Sequence, residues 1–459
     1  MTRIGILLTT LLVFCISPLL AQNKFPLENH RADAQKLINA ALSDETSFDE
    51  LTYFVDTFGH RFSGSKSLER SIDWIMEELK KGELENVHTQ EVMVPRWVRG
   101  SEYAAMTAPR KKELPMLGLG SSIGTPQKGV EAEVLVVNSF KDLKAKAKQA
   151  KGKIVLYDVP FTTYGETVQY RVSGAVEAAK VGAVASLIRS VGPFSMKTPH
   201  TGNSRYQQGV KKIPHAAITG EDASLLHRLQ KRGETVRVQL YMEARTLPDT
   251  KSRNIVAEIR GSEKPEEIVV LGGHIDSWDL GQGAMDDAGG CFAAWEALKL
   301  MNELGLRPRR TVRLVMWTNE ENGLRGAKKY RDLVKENGTL HNHILAMESD
   351  GGVFTPKGFG FSGSDEAYKI IKKIGSLLKP IGADEITRGG GGADISPLMK
   401  EGIPGMGLRV DGSRYFWYHH TAADTIDKLS AEEYKKCVAT MAVMAYSVAN
   451  MDQTLPKQH

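Results

Sequence analysis

Three short apolar runs constrain this chain most, because each ends in residues able to bind a metal or move a proton. EEIVVLGGHID, TVRLVMWTNEE and HILAMESD are β-branched or apolar along their length and turn polar only at the C-terminal end. Such runs predict buried parallel strands that deliver their chemistry to one edge of a sheet. Helical patterns separate them, AGGCFAAWEALKLMNEL after the first and ENGLRGAKKYRDLVKEN after the second. The alternation predicts an α/β fold, a mixed sheet flanked by helices, with its site outside the carboxyl ends of the strands.

The polar residues at and beyond those ends run in the order His274, Asp286, Glu320, Glu321, Asp350, His420. Singly, each has a bland reading: a Glu-Glu pair is a solvated surface, and a His two residues from an Asp is a loop histidine. Together they supply what two zinc ions require. Each ion takes about four nitrogen or oxygen ligands and a catalytic site leaves one position to water, so one shared carboxylate plus a His and a second carboxylate per metal suffices. One Glu is then left over, and it becomes the base.

GGHIDSWDLGQGAMDDAGG, WTNEENG, MESDGG and YHHTAADT resemble the zinc-binding motifs of the M28 family of co-catalytic zinc metallopeptidases. Through MLGLGSSIGTP, VQYRVSGAVEAAKVGAVASLIRSV, KTPHTGNSRYQQGV and GLRPRRTVRLVMWT the agreement extends to the carboxypeptidase Q branch of that family, over nearly everything after the N-terminal segment. The resemblance implies two Zn2+ per chain, one held by His274 and Asp350, the other by Glu321 and His420. Asp286 bridges them and precedes a cis peptide bond to Asp287. Glu320 is the general base, and Asp276 orients the His274 ring through its other nitrogen. Of the paired histidines the family pattern selects His420, with Asp424 nearby.

The resemblance leaves the substrate contacts open. Many relatives carry a Tyr just before the final His ligand, where this chain has His419. The oxyanion donor is therefore His419, Tyr418 or Tyr415, and a purely packing role for His419 stands beside them. RGGGGADISP, residues 388–397, holds too much glycine for a helix or strand interior and predicts a loop whose backbone approaches something closely. A phosphate cradle is the rival meaning, but no Walker lysine follows, and the resemblance places the loop by the substrate. Asp394 is expected to meet a substrate ammonium, and Arg409 or Arg414 a carboxylate. The expected activity is hydrolysis of dipeptides or short peptides with free termini. A broader aminopeptidase is the alternative, and a silent receptor-like relative is disfavoured because all six positions are filled.

Residues 1–21 have the layout of a secretory leader. Arg3 precedes IGILLTTLLVFCISPLL, and a small residue follows at Ala21. The run is short for a membrane anchor, and Phe14 disfavours lipidation at Cys15, so the expected location is exported, secreted or periplasmic. Cleavage leaves Cys291 and Cys437, both in apolar helical patterns and expected to be unpaired core residues. The expected organisation is catalytic residues 22–107, an insert at 108–247, and the main catalytic part at 248–459. The insert reads as β-rich, with AEVLVVNS, KIVLYDV, AVASLIR, IPHAAIT and VRVQLYM as strands. Its GAVEAAKVGAVASLI segment resembles a protease-associated domain. A net charge of +5 over 459 residues, with 25% charged and 41% hydrophobic residues, is ordinary globular composition and gives no argument for nucleic acid. The lysine run from Lys141 reads as a solvated helix face. A small peptide is the expected partner, with no membrane span after leader removal; a homodimer is compatible with the sequence.

Overall fold

A computed structural model describes residues 27–457 of the chain. The expected leader lies outside the described residues. Two eight-stranded sheets organise the rest. In the catalytic sheet the spatial order is Glu85–Val98, Arg245–Ile259, Arg310–Trp317, Lys264–His274, His343–Glu348, Gly405–Val410, Pro356–Ser362 and Glu385–Arg388. The four strands from Arg310–Trp317 to Gly405–Val410 are mutually parallel, so their carboxyl ends share one edge.

Alternation explains why these strands are apolar throughout. Val269, Leu271, Leu314 and Met316 point into one core with the helices Gly289–Glu303 and Ala431–Ala449. Ile268, Val270, Val315 and Trp317 point into a second core with the helix Arg325–Glu336. Both faces are covered, as a parallel sheet requires. The N-terminal residues extend the first core. Ser65 caps the helix Lys66–Lys81 by accepting the Leu68 N–H at 3.1 Å, and Ile72, Ile75 and Leu79 are wholly buried beneath it. Before it, the helix Glu28–Ser43 is tied to the C-terminal helix through the Tyr446 hydroxyl and Asp33 at 3.1 Å. Cys291 and Cys437 are buried and unpaired.

The second sheet is ordered Lys112–Leu114, Glu102–Ala108, Arg237–Met242, Val130–Val137, Ile154–Tyr157, Ala185–Arg189, His215–Ile218 and Met116–Gly118. It begins before residue 108, since Glu102–Ala108 pairs with Arg237–Met242. Its four strands from Val130–Val137 to His215–Ile218 are parallel, and helices cover both faces. Ala175 and Ala178 of Tyr164–Lys180 pack on one, Ala223 and Leu226 of Gly220–Lys231 on the other. The β-rich reading therefore understates its helices. Their buried faces are largely small residues, which give a weak periodic signal. The lysine run forms two short helices, Phe140–Ala145 and Ala147–Ala150, with Lys141, Lys144 and Lys148 exposed.

The two sheets are joined by a two-stranded ribbon. Glu85–Val98 and Arg245–Ile259 pair antiparallel from Glu85 opposite Glu258 to Val98 opposite Arg245. Among the described residues, no helix is long and apolar enough to cross a membrane.

Candidate metal centre

At the carboxyl edge of the catalytic sheet the two imidazoles stand on either side of one carboxylate. His274 Nε2 lies 3.2 Å from Asp286 Oδ1 and 3.3 Å from Asp350 Oδ1. His420 Nε2 lies 3.0 Å from Glu321 Oε2 and 3.4 Å from Asp286 Oδ2. Asp286 is thus shared by two groups of three. The Asp350 side chain, a quarter exposed, marks the open side, and a narrow cleft lies beside Trp278, Asp286, Glu321, His420 and Asp424. The Asp286–Asp287 peptide bond is cis.

Neighbouring residues fix each of these groups. Asp424 accepts the Met285 N–H at 2.7 Å and the Asp286 N–H at 3.2 Å, holding the main chain of the shared carboxylate. Asp287 accepts the His274 N–H at 3.1 Å. A Cβ on Gly273 would stand 2.1 Å from Asp287 Oδ2, so the glycine before His274 leaves the space this carboxylate fills. The His274 Nδ1 reaches a carbonyl rather than the expected side chain: the Asp276 main-chain oxygen is 2.8 Å away, its carboxylate 3.9 Å. The Asp276 carboxylate accepts the Glu320 N–H at 2.9 Å instead, and so orients the Glu320–Glu321 pair.

Several neighbours of the cluster were not singled out in the sequence. Ser63 donates to Asp276 at 3.2 Å and accepts from Asn319 at 3.0 Å. Arg61, wholly buried, donates to the carbonyls of Gly59, Ile275, Gln282 and Gly283, and so anchors the chain between His274 and Asp286. From the insert come Tyr164, Arg171, His200 and Thr201. Arg171 lies in VQYRVSG and His200 and Thr201 in KTPHTG, segments that carry the family resemblance without marking these residues for a role.

The remaining expected residues are placed as follows. His419 stacks on His420 with ring centroids 3.6 Å apart, and its Nε2 is 3.7 Å from Asp286 Oδ2. Tyr415 lies 5.0 Å from the His419 ring. Burial among Asp286, Asp350 and Glu321 pushes its hydroxyl pKa well above the usual range. Tyr418 packs against the catalytic core. In the glycine-rich loop a Cβ on Gly392 would stand 2.1 Å from the Glu348 carboxylate, which accepts the Asp394 and Ile395 N–H groups at 3.2 and 2.9 Å. Both Asp394 side-chain oxygens are buried without a hydrogen-bond donor. Arg409 pairs with Glu385 at 2.8 Å and Arg414 with Glu433 at 2.8 Å. Neither arginine is joined to the ligand cluster.

The electrostatics show what the cluster lacks. Burial, opposed by His274 and reinforced by Asp350, Asp276 and Asp286, pushes Glu320 up to about 8. Burial and the Asp286 charge push Glu321 well above the carboxylate range. Asp286 Oδ2 is buried and receives no hydrogen bond. Buried like charges of this kind are costly unless cations pair with them. The donor set is imidazole and carboxylate with no thiolate, which suits zinc. Divalent cations therefore fit these residues.

Peptidase family M28 matches residues 254–445. Carboxypeptidase Q of Mus musculus is 49% identical over 437 residues, 95% of this chain and 93% of its own length. The crystal structure of a peptidase M28 precursor from Shewanella amazonensis SB2B is similar with a TM-score of 0.90 and 34% identity, covering 94% of this chain and all of that one. BSAP, a zinc aminopeptidase from Bacillus subtilis, shares the fold at a TM-score of 0.67 and 20% identity over 89% of this chain and 98% of its own. The chain belongs to peptidase family M28 and is a zinc-dependent metallopeptidase. Within that family it lies in the carboxypeptidase Q branch.

Proposed function

We propose that this peptidase is an exported di-zinc exopeptidase that hydrolyses dipeptides and short peptides with free termini. One observation carries the reading: Asp286 stands between His274 with Asp350 and His420 with Glu321, all at 3.0 to 3.4 Å. On this reading His274 and Asp350 would hold one zinc, Glu321 and His420 the other, with Asp286 shared between them. Zinc, when bound, supplies Lewis acidity and lowers the pKa of a coordinated water to about 7. The Glu320 carboxylate accepts the attacking water's proton and returns it to the leaving amine. His419, with Nε2 3.7 Å from Asp286 Oδ2, and Tyr415, its ring 5.0 Å from that of His419, are the candidate oxyanion donors. The protein helix and strand arrangement around 108–247 is read as a protease-associated insert, and residues 1–21 as the export leader.

The buried, unpartnered Asp394 carboxylate suits a substrate ammonium. Arg409 and Arg414 would have to leave Glu385 and Glu433 to meet a carboxylate. Their engagement favours a second reading, a broader aminopeptidase that reads only the amino end. Metal analysis tests the main proposal: purified protein should carry two zinc equivalents per chain and lose turnover to chelators. Full activity in metal-free protein overturns it.

A further inference from the structure

The loop that carries His420 is held from outside by the insert. His420 has φ +59°, a left-handed conformation that a histidine keeps only where its surroundings enforce it. Its carbonyl accepts the Thr201 N–H at 2.9 Å, and the His419 carbonyl lies 2.8 Å from His200 Nδ1, which donates to it. Both donors belong to the KTPHTG segment. Thr201 is fixed in turn by its hydroxyl on the Gly118 carbonyl at 3.0 Å.

Arg171 completes the support. It is 6% exposed, with Nη2 on the Tyr164 hydroxyl at 2.6 Å and Nη1 on the Thr201 carbonyl at 3.3 Å. A Cβ on Gly202 would stand 2.3 Å from Nη1, so the Thr201–Gly202 backbone is pressed against the guanidinium. His420 turns Nε2 toward Glu321 and Asp286, while Nδ1 lies 3.4 Å from the Thr201 carbonyl and 3.3 Å from Arg171 Nη1. A metal on Nε2 leaves the ring proton on Nδ1, and the Thr201 carbonyl is then the acceptor in reach. Arg171 fixes where that carbonyl stands.

We propose that Arg171 is a positioning residue for His420, so that the insert sets the zinc affinity of the position that His420 and Glu321 serve. The inference rests on the two-metal reading above. Groups that orient a metal-binding histidine are worth 10- to 100-fold in metal affinity, and this one reaches the site from a helix packed on the second sheet. The insert is then part of the metal centre rather than an accessory to it.

Zinc titration of the full-length protein against a competing chelator tests this. Wild type should show two binding events. In Arg171→Ala one of them should weaken by about 10- to 100-fold while the other is unchanged. Arg171→Lys, which keeps the charge but not the planar fork, should weaken it less. Gly202→Ala displaces the guanidinium with every metal-binding side chain intact, and should follow Arg171→Ala. In a His420→Ala background Arg171→Ala should add no further loss, whereas in an Asp350→Ala background its full effect should remain. Unchanged affinities in both Arg171→Ala and Gly202→Ala overturn the inference. So does an equal weakening of both events with a fall in melting temperature, the mark of a general structural role. A wild-type protein that binds one zinc fails the two-metal reading itself, before any variant is compared, and the inference with it.

Discussion

At the carboxyl edge of the catalytic sheet, Asp276, Asp286, Asp287, Glu321, Glu348, Asp394 and Asp424 lie buried together with Arg61 behind them. Inside the insert, most buried polar groups are neutral or paired. His215 sits between the Ser186 hydroxyl and the Arg171 carbonyl at 2.6 and 3.0 Å, and Asp222 is met by Lys112 and Lys197 at 2.8 and 2.9 Å. The insert satisfies most of its buried polar groups within the chain, the exceptions being single atoms of Glu102, Arg171 and His200. The catalytic edge does not satisfy its own charges. A region of that kind is built for cations that come from outside.

Substitution at Glu320 should have the greatest effect. Glu320→Gln should cut turnover by about 10² to 10⁴, the range for a general base, with zinc content unchanged. Glu321→Ala should lose zinc as well. Metal analysis alongside steady-state rates distinguishes them, and zinc loss in Glu320→Gln would exchange the two roles.

His215 tests the other side. His215→Ala leaves the Arg171 carbonyl and Ser186 without their partner and should lower stability by about 1–3 kcal/mol, read as a lower denaturation midpoint. Burial holds the His215 pKa down to about 4, against 6.5 for the free side chain. The unfolded chain therefore binds the proton first. The stability this group supplies is present above pH 6.5 and is lost as pH falls toward 4, so the variant's stability should depend less on pH over that window. His343, also held near 4 by burial and Arg313, keeps part of the dependence in place. A variant with the wild-type slope would remove His215 from the account.

The unpartnered Asp394 bears on the substrate. If it awaits an ammonium, acetylating the amino end of a good dipeptide should lower kcat/KM by at least about tenfold, ~1.4 kcal/mol. Amidating the carboxyl end should do the same if dipeptides are the substrates, and equal turnover of free and amidated peptides would favour the aminopeptidase reading. The smallest effect belongs to the solvated face. Replacing Lys141, Lys144 or Lys148 by Ala should change stability by no more than about 0.5 kcal/mol, and a larger loss by thermal melts would mean that this face is occupied.

The clustered His and carboxylate residues were legible because each stands at or just beyond the end of a strand or in a short motif, where pattern and chemistry coincide locally. The groups that hold them were not. Arg61 reaches Gly283 across more than two hundred residues, and Arg171 reaches His420 across still more. No local periodicity encodes such contacts. Arg409 and Arg414 show the opposite hazard, since nearness in sequence to His420 suggested substrate contact. Sheet order instead brings Glu385 beside Arg409, and the C-terminal helix brings Glu433 to Arg414. The helices of the insert were muted by small residues such as Ala175 and Ala178, which bury well but stand out poorly against a glycine- and alanine-rich background.

Val98 and Arg245 face each other across the connecting ribbon, so the chain leaves for the insert and returns from it at neighbouring points. A single tight turn would span that gap, and the catalytic sheet could close over an excision with its register intact. The outer rest of His420 would go with the excised piece. Dependence between the two parts runs both ways: Phe62 and Trp278 fill the core of the module, and once a histidine leans on the newcomer the module can no longer be given back.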